Sequence, residues 1–60
     1  MNEYRVFVID DDGHVVVRYE FVCANESEAR QLAVDLVDGR DAELWQRAQR
    51  LATFHRQPAQ

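Results

Sequence analysis

Hydrophobic positions along the chain fall into three patterns. From Tyr4 to Asp10 (YRVFVID) and from His14 to Cys23 (HVVVRYEFVC), valine and aromatic residues dominate, as they do in β-strands. Between the two runs lies Asp11-Asp12-Gly13, and Asp-Gly is a strong hairpin signal because a type I′ turn needs positive φ at both central positions. With Asp12-Gly13 as the turn, Val8 faces Val17, Val6 faces Tyr19, Tyr4 faces Phe21, and Arg5 stands opposite Glu20 as a favourable cross-strand pair. A slip of one residue would move Val6 and Val8 to the face of Arg18 and Glu20, which burial forbids.

This register gives the hairpin one apolar face of Tyr4, Val6, Val8, Val15, Val17, Tyr19, Phe21 and Cys23. The other face carries Arg5, Arg18 and Glu20, but also Phe7, Ile9, Val16 and Val22. That second face is too apolar to be left bare to water.

The pattern changes at Asn25–Asp38 (NESEARQLAVDLVD). Ala29, Leu32, Ala33, Leu36 and Val37 recur at helical spacing and form one stripe. Asn25 is a good N-cap, with Glu28 three residues on, and Gly39 suits the position where a helix stops. The stripe is expected to pack on the fully apolar hairpin face, with Leu36 in the core.

Asp41–Arg56 (DAELWQRAQRLATFHR) reads two ways. As a helix it gathers Leu44, Ala48, Leu51 and His55 on one side. As a hairpin it gives strands at Ala42–Gln46 and Arg50–His55 around Arg47-Ala48-Gln49. Residue types and the missing turn glycine favour the helix, whereas a two-stranded sheet beneath a helix is a thin platform.

The combination of YRVFVIDDDGHVV, the ESEARQLAVDLVDG helix and the DAELWQRAQRLATF tail resembles a group of short uncharacterised alphaproteobacterial proteins. In that group the stretch after the tryptophan segment often carries Gly or Asp, as a hairpin turn would; this chain has Arg47-Ala48-Gln49 instead. The resemblance implies a second hairpin and therefore an α+β fold of order ββαββ, an antiparallel sheet with one helix on one face. The alternative is ββαα. The resemblance implies no function.

Composition narrows the classes. Sixty residues make a single small domain, 1–60, in which core burial alone gives marginal stability. Cys23 is the only cysteine, so no disulfide supplies help, and a lone thiol fits a reducing compartment. The apolar share of 47% is too high for a disordered chain, yet no run approaches the ~20 residues that span a bilayer. The first residues, Met1-Asn2-Glu3-Tyr4, do not read as a signal peptide, so a cytoplasmic protein is expected. Net charge is −4, divided as −6 over residues 1–38 and +2 over residues 39–60. An acidic domain repels phosphate backbones, and Arg47, Arg50 and Arg56 make only a weak basic tail, so nucleic acid is not an expected partner.

The candidate chemistry is thin. Val6–Asp12 resembles the first strand and acidic pocket of a response-regulator receiver, but the chain is too short for that fold, and a strand follows where a helix belongs. Asp10, Asp12 and Gly13 suggest a calcium loop, yet the position that needs a bidentate glutamate holds Phe21. His14, Cys23 and His55 are better read as a solvated turn residue, a buried thiol and a terminal residue than as a metal or catalytic set. No catalytic, cofactor or metal residues are assigned, and no enzyme is expected.

Trp45 suits either the edge of a small core or an interface. With Phe7, Ile9, Val16 and Val22 it forms the candidate interface, and the expected function is that of a self-associating structural or protein-interaction module. The expected assembly is a homodimer, with exchange of the terminal hairpin about Gly39-Arg40 as a variant. A second reading comes from the hairpin with an acidic turn followed by a capped helix. That outline is similar to HicB-type antitoxins, which would make this a binder of a small protein partner, although the chain lacks that family's Leu-Pro-Gly-Cys-like loop and a DNA-binding extension.

Overall fold

A computed structural model of the chain describes residues 1–56. Four strands and one helix follow the order ββαββ: β1 (Asn2–Ile9), β2 (Val15–Cys23), α1 (Glu26–Val37), β3 (Asp41–Gln46) and β4 (Gln49–Phe54). The strands form one antiparallel sheet of order β2-β1-β3-β4, so the fold is α+β. The tail is a hairpin, and ββαα is set aside. Had the tail been helical, β1 would have kept one backbone edge unpaired; β3 pairs along it from Arg5–Trp45 to Ile9–Asp41.

The first hairpin takes the expected register from Tyr4–Phe21 to Val8–Val17 and then departs from it. The turn is not type I′. Asp10 accepts a hydrogen bond from Gly13 N–H at 3.0 Å and donates its own N–H to the His14 carbonyl at 2.9 Å. Within the loop only Gly13 has positive φ, at 83°. This is the longer loop in which a tight turn ends on one left-handed residue. Asp10 Oδ1 fixes it further by accepting from the N–H groups of Asp12 and His14, both at 2.9 Å. The longer loop forces a bulge, so that Ile9 pairs with Val15 rather than Val16. Val15 therefore shares the face of Ile9 and is 51% exposed, not part of the inner face as the simple register predicts.

Asn25 starts α1 in an extended conformation, its Oδ1 accepting from Glu28 N–H at 2.9 Å. Ala29, Ala33 and Val37 are the buried helix residues, spaced four apart. Leu32 is 38% exposed and Leu36 is half-buried, so neither is a core residue. The small alanines sit where the helix meets the sheet, and the leucines flank that line. The helix ends one residue earlier than expected. Asp38 takes the left-handed conformation (φ 52°, ψ 48°) and Gly39 follows at φ 76°.

The core lies between α1 and one sheet face: Tyr4, Val6, Val8 and Cys23 from the first hairpin, Ala42 and Leu44 from β3, and the three helix residues. Val17, Tyr19, Phe21, Leu51, Ala52 and Phe54 pack around it. Tyr4 and Phe21 stack with ring centroids 6.0 Å apart. Arg30 ties the helix to β4, donating to the Leu51 carbonyl at 2.8 Å while also bridging Glu26 at 2.7 Å. No described helix is long and apolar enough to cross a membrane.

Candidate functional site

The face that α1 leaves uncovered follows from the pairing. Across the sheet, Arg18, Phe7, Glu43 and Thr53 form one row, and Glu20, Arg5, Trp45 and Arg50 form the next. Phe7 and Trp45 each stand between two charged residues of their row. Phe7 and Trp45 are diagonal neighbours, with ring centroids 6.4 Å apart and planes at 72°, an edge-to-face contact. The Arg18 guanidinium carbon stands 6.0 Å from the Phe7 ring centre, within cation–π range. Trp45 Nε1 donates to Glu43 Oε1 at 3.0 Å, and Glu43 Oε2 accepts from Arg50 at 3.4 Å. Arg5 and Glu20 approach to 3.6 Å.

The five candidate interface residues therefore do not form one patch. Phe7 and Trp45 lie together at mid-sheet, both half-buried and enclosed by charged neighbours. Ile9 lies at the loop end beside Asp41 and Val15. Val22 sits opposite Glu3 at the other end of the sheet, beyond Arg5 and Glu20. Val16 stands in the bulge. What unites Val16 and Val22 is their strand: both lie on β2, an edge of the sheet, at 55% and 52% exposure. Val15 belongs with them, and alternation alone does not place it there because the bulge follows from the loop that the Asp10 side chain holds.

The other candidates are placed as follows. Ligand atoms of Asp10, Asp12 and His14 lie within 4.8 Å of one another, but Asp10 Oδ1 is already engaged by two amides of the turn. Cys23 is buried; desolvation pushes its thiol pKa above the ordinary value, and the nearby Glu28 carboxylate adds to the rise. That is the opposite of an activated thiolate. His14 precedes β2 and Cys23 ends it, so about 30 Å of strand separates them. Of the tail arginines, Arg50 meets Glu43, while Arg56 reaches Asp11 Oδ1 at 3.2 Å and donates its N–H to Asp41 Oδ1. The surface hollow at that end, bordered by Ile9, Val16, Arg40 and Arg56, is open to solvent.

In comparisons with known proteins, no family model, curated protein or solved structure matches the chain.

Proposed function

We propose that the protein is a self-associating structural or interaction module without catalytic activity, working as a homodimer. The observation that carries this reading is the exposure of Val15, Val16 and Val22, three large apolar side chains on one edge strand of the sheet. Apolar groups concentrated on one border of a small domain mark a contact surface. A two-fold contact lets each copy cover the other's border with its own. The added burial also helps a 60-residue domain whose own core is small. An exchange of the terminal hairpin about Gly39-Arg40 is a variant of the same reading, in which β3 would pair with the other copy's β1. The test is sedimentation equilibrium on the wild type and on Val16→Lys with Val22→Lys, both exposed in the single copy. A dimer mass that the double substitution lowers supports the reading. A wild type that stays at 7.0 kDa from micromolar to millimolar concentration overturns it.

A further inference from the structure

The sheet has two edges, and they are finished differently. On β4 the Leu51 carbonyl is taken by Arg30, and the strand is bulged between the pairs Leu44–Ala52 and Trp45–Arg50. Both devices blunt an edge against further pairing. Among the described residues the backbone of β2 pairs only towards β1, the strand is nine residues long, and no proline or lysine interrupts it. Its one irregularity, opposite Val8–Ile9, lies at the loop end.

The residues of this open edge read as their own complement. Val16-Val17-Arg18-Tyr19-Glu20-Phe21-Val22 is centred on Tyr19, with opposite charges one position to either side and valines three positions to either side. Placed antiparallel to itself about Tyr19, the strand sets Arg18 against Glu20 of the second copy, and Glu20 against Arg18. It sets Val17 against Phe21, with Val22 meeting the bulge at Val16. Each residue meets one of like parity, so side chains stay on common faces and outward-pointing amides meet outward-pointing carbonyls. Registers displaced along the strand lose both charge pairs or bring like charges together.

We infer that two copies pair through β2 in this register, extending the sheet to eight strands across a two-fold axis at Tyr19. The inference rests on the self-association proposed above and specifies its surface. Such an axis runs perpendicular to the sheet and leaves both helices on one side. On that side Val17, Tyr19 and Phe21 are only partly covered by α1, so the second copy's equivalents complete their burial. On the other side Arg18 and Glu20 of the two copies pair, and Val22 of each copy lies towards the other's bulge at Val16. Strand addition to an open edge supplies main-chain hydrogen bonds, while alternate side chains set specificity.

The experiment uses two charge variants of the full chain, Arg18→Glu and Glu20→Arg. Each alone places like charges at both cross-strand positions, and each is expected to dimerise at least roughly tenfold more weakly than wild type. Their equimolar mixture restores two opposite-charge pairs in the heterodimer, which is expected to recover to within about threefold of wild type. Sedimentation equilibrium reads all three samples. A mixture that does not recover, or variants that dimerise as wild type does, overturns pairing through β2 while leaving self-association standing. A monomeric wild type overturns both. Independently of the charges, Tyr19→Cys in a Cys23→Ala background should form a covalent dimer with oxidised glutathione, whereas Thr53→Cys in the same background should not. Failure of Tyr19→Cys to cross-link in a sample that sediments as a dimer overturns the register.

Discussion

Arg40 closes the end of α1 by donating through Nε to the carbonyl of Val37 at 2.9 Å, and the same carbonyl accepts the Arg40 backbone N–H at 3.2 Å. Its Nη2 reaches the Leu36 carbonyl at 3.0 Å. The last turn of the helix itself has no basic residue, so Arg40 supplies from beyond it the positive charge that the helix C-terminus favours. Arg40→Ala should cost about 1–2 kcal/mol, the scale of charge-assisted hydrogen bonds at a partly buried site. Arg40→Lys keeps the charge but not the fork and should recover only part of this. Urea unfolding of the three proteins measures it, and equal midpoints would refute the role.

Arg47 opens the second turn at φ 55°, in the left-handed region. That conformation costs a side-chain-bearing residue roughly 1–2 kcal/mol. Glycine avoids the cost, though it gives back part of the gain through its greater freedom in the unfolded chain. Arg47→Gly should therefore stabilise the protein by about 0.5–1 kcal/mol. A lower melting temperature would mean the turn is not strained.

Leu44 and Leu36 form a matched pair for testing the core. Leu44 is fully buried between sheet and helix, whereas Leu36 stands half-buried beside the alanine line. Leu44→Ala should cost ~2–5 kcal/mol, and Leu36→Ala about half as much or less. Denaturant titration of both orders them, and the reverse order would contradict the packing.

Cys23 should resist alkylation in the native state and react fully in urea. Because its pKa is raised in the folded form, the native state holds the thiol proton more tightly than the unfolded chain does. The associated stability is whole below the unfolded thiol's pKa and declines as pH rises above it. Wild type should thus lose more stability than Cys23→Ala between neutral and strongly alkaline pH. Parallel curves would dismiss the effect.

Much of this architecture can be read along the chain, and the departures have local causes. The hairpin register follows from alternation, since Val6 and Val8 can be buried in only one phase. The bulge at Val15–Val16 escapes that logic because Asp10's side chain selects a longer loop. Residue types at Asp41–Arg56 favour a helix, but β1 needs a partner on its second edge, and tertiary pairing outweighs propensity there. Arg47 occupies the glycine position of the turn and so removed the local marker. In α1 the periodicity is right, but spacing does not reveal that the alanines, rather than the leucines, sit at the centre of the contact. At the candidate interface, apolar residues can be assigned to a face from parity. That Arg5 and Glu20 stand between Phe7 and Val22 follows from the hairpin register, but the meeting of Trp45 with Phe7, and of Glu43 with both, depends on β3 lying beside β1, an order that parity does not contain.

That strand order has a kinetic consequence. β1–β2 and β3–β4 are each joined by a short turn and can form early, within microseconds. The pairing of β1 with β3 at the centre of the sheet must close a loop that contains β2 and the whole helix, so its entropy is lost before its contacts form. The central seam should therefore be the last part of the sheet to assemble. Core substitutions on the β3 side of it, such as Leu44→Ala, should show lower φ-values than substitutions in the first hairpin at Tyr4 or Phe21. The middle of the sheet, rather than its rim, is then the part that closes last, after the barrier to folding is crossed.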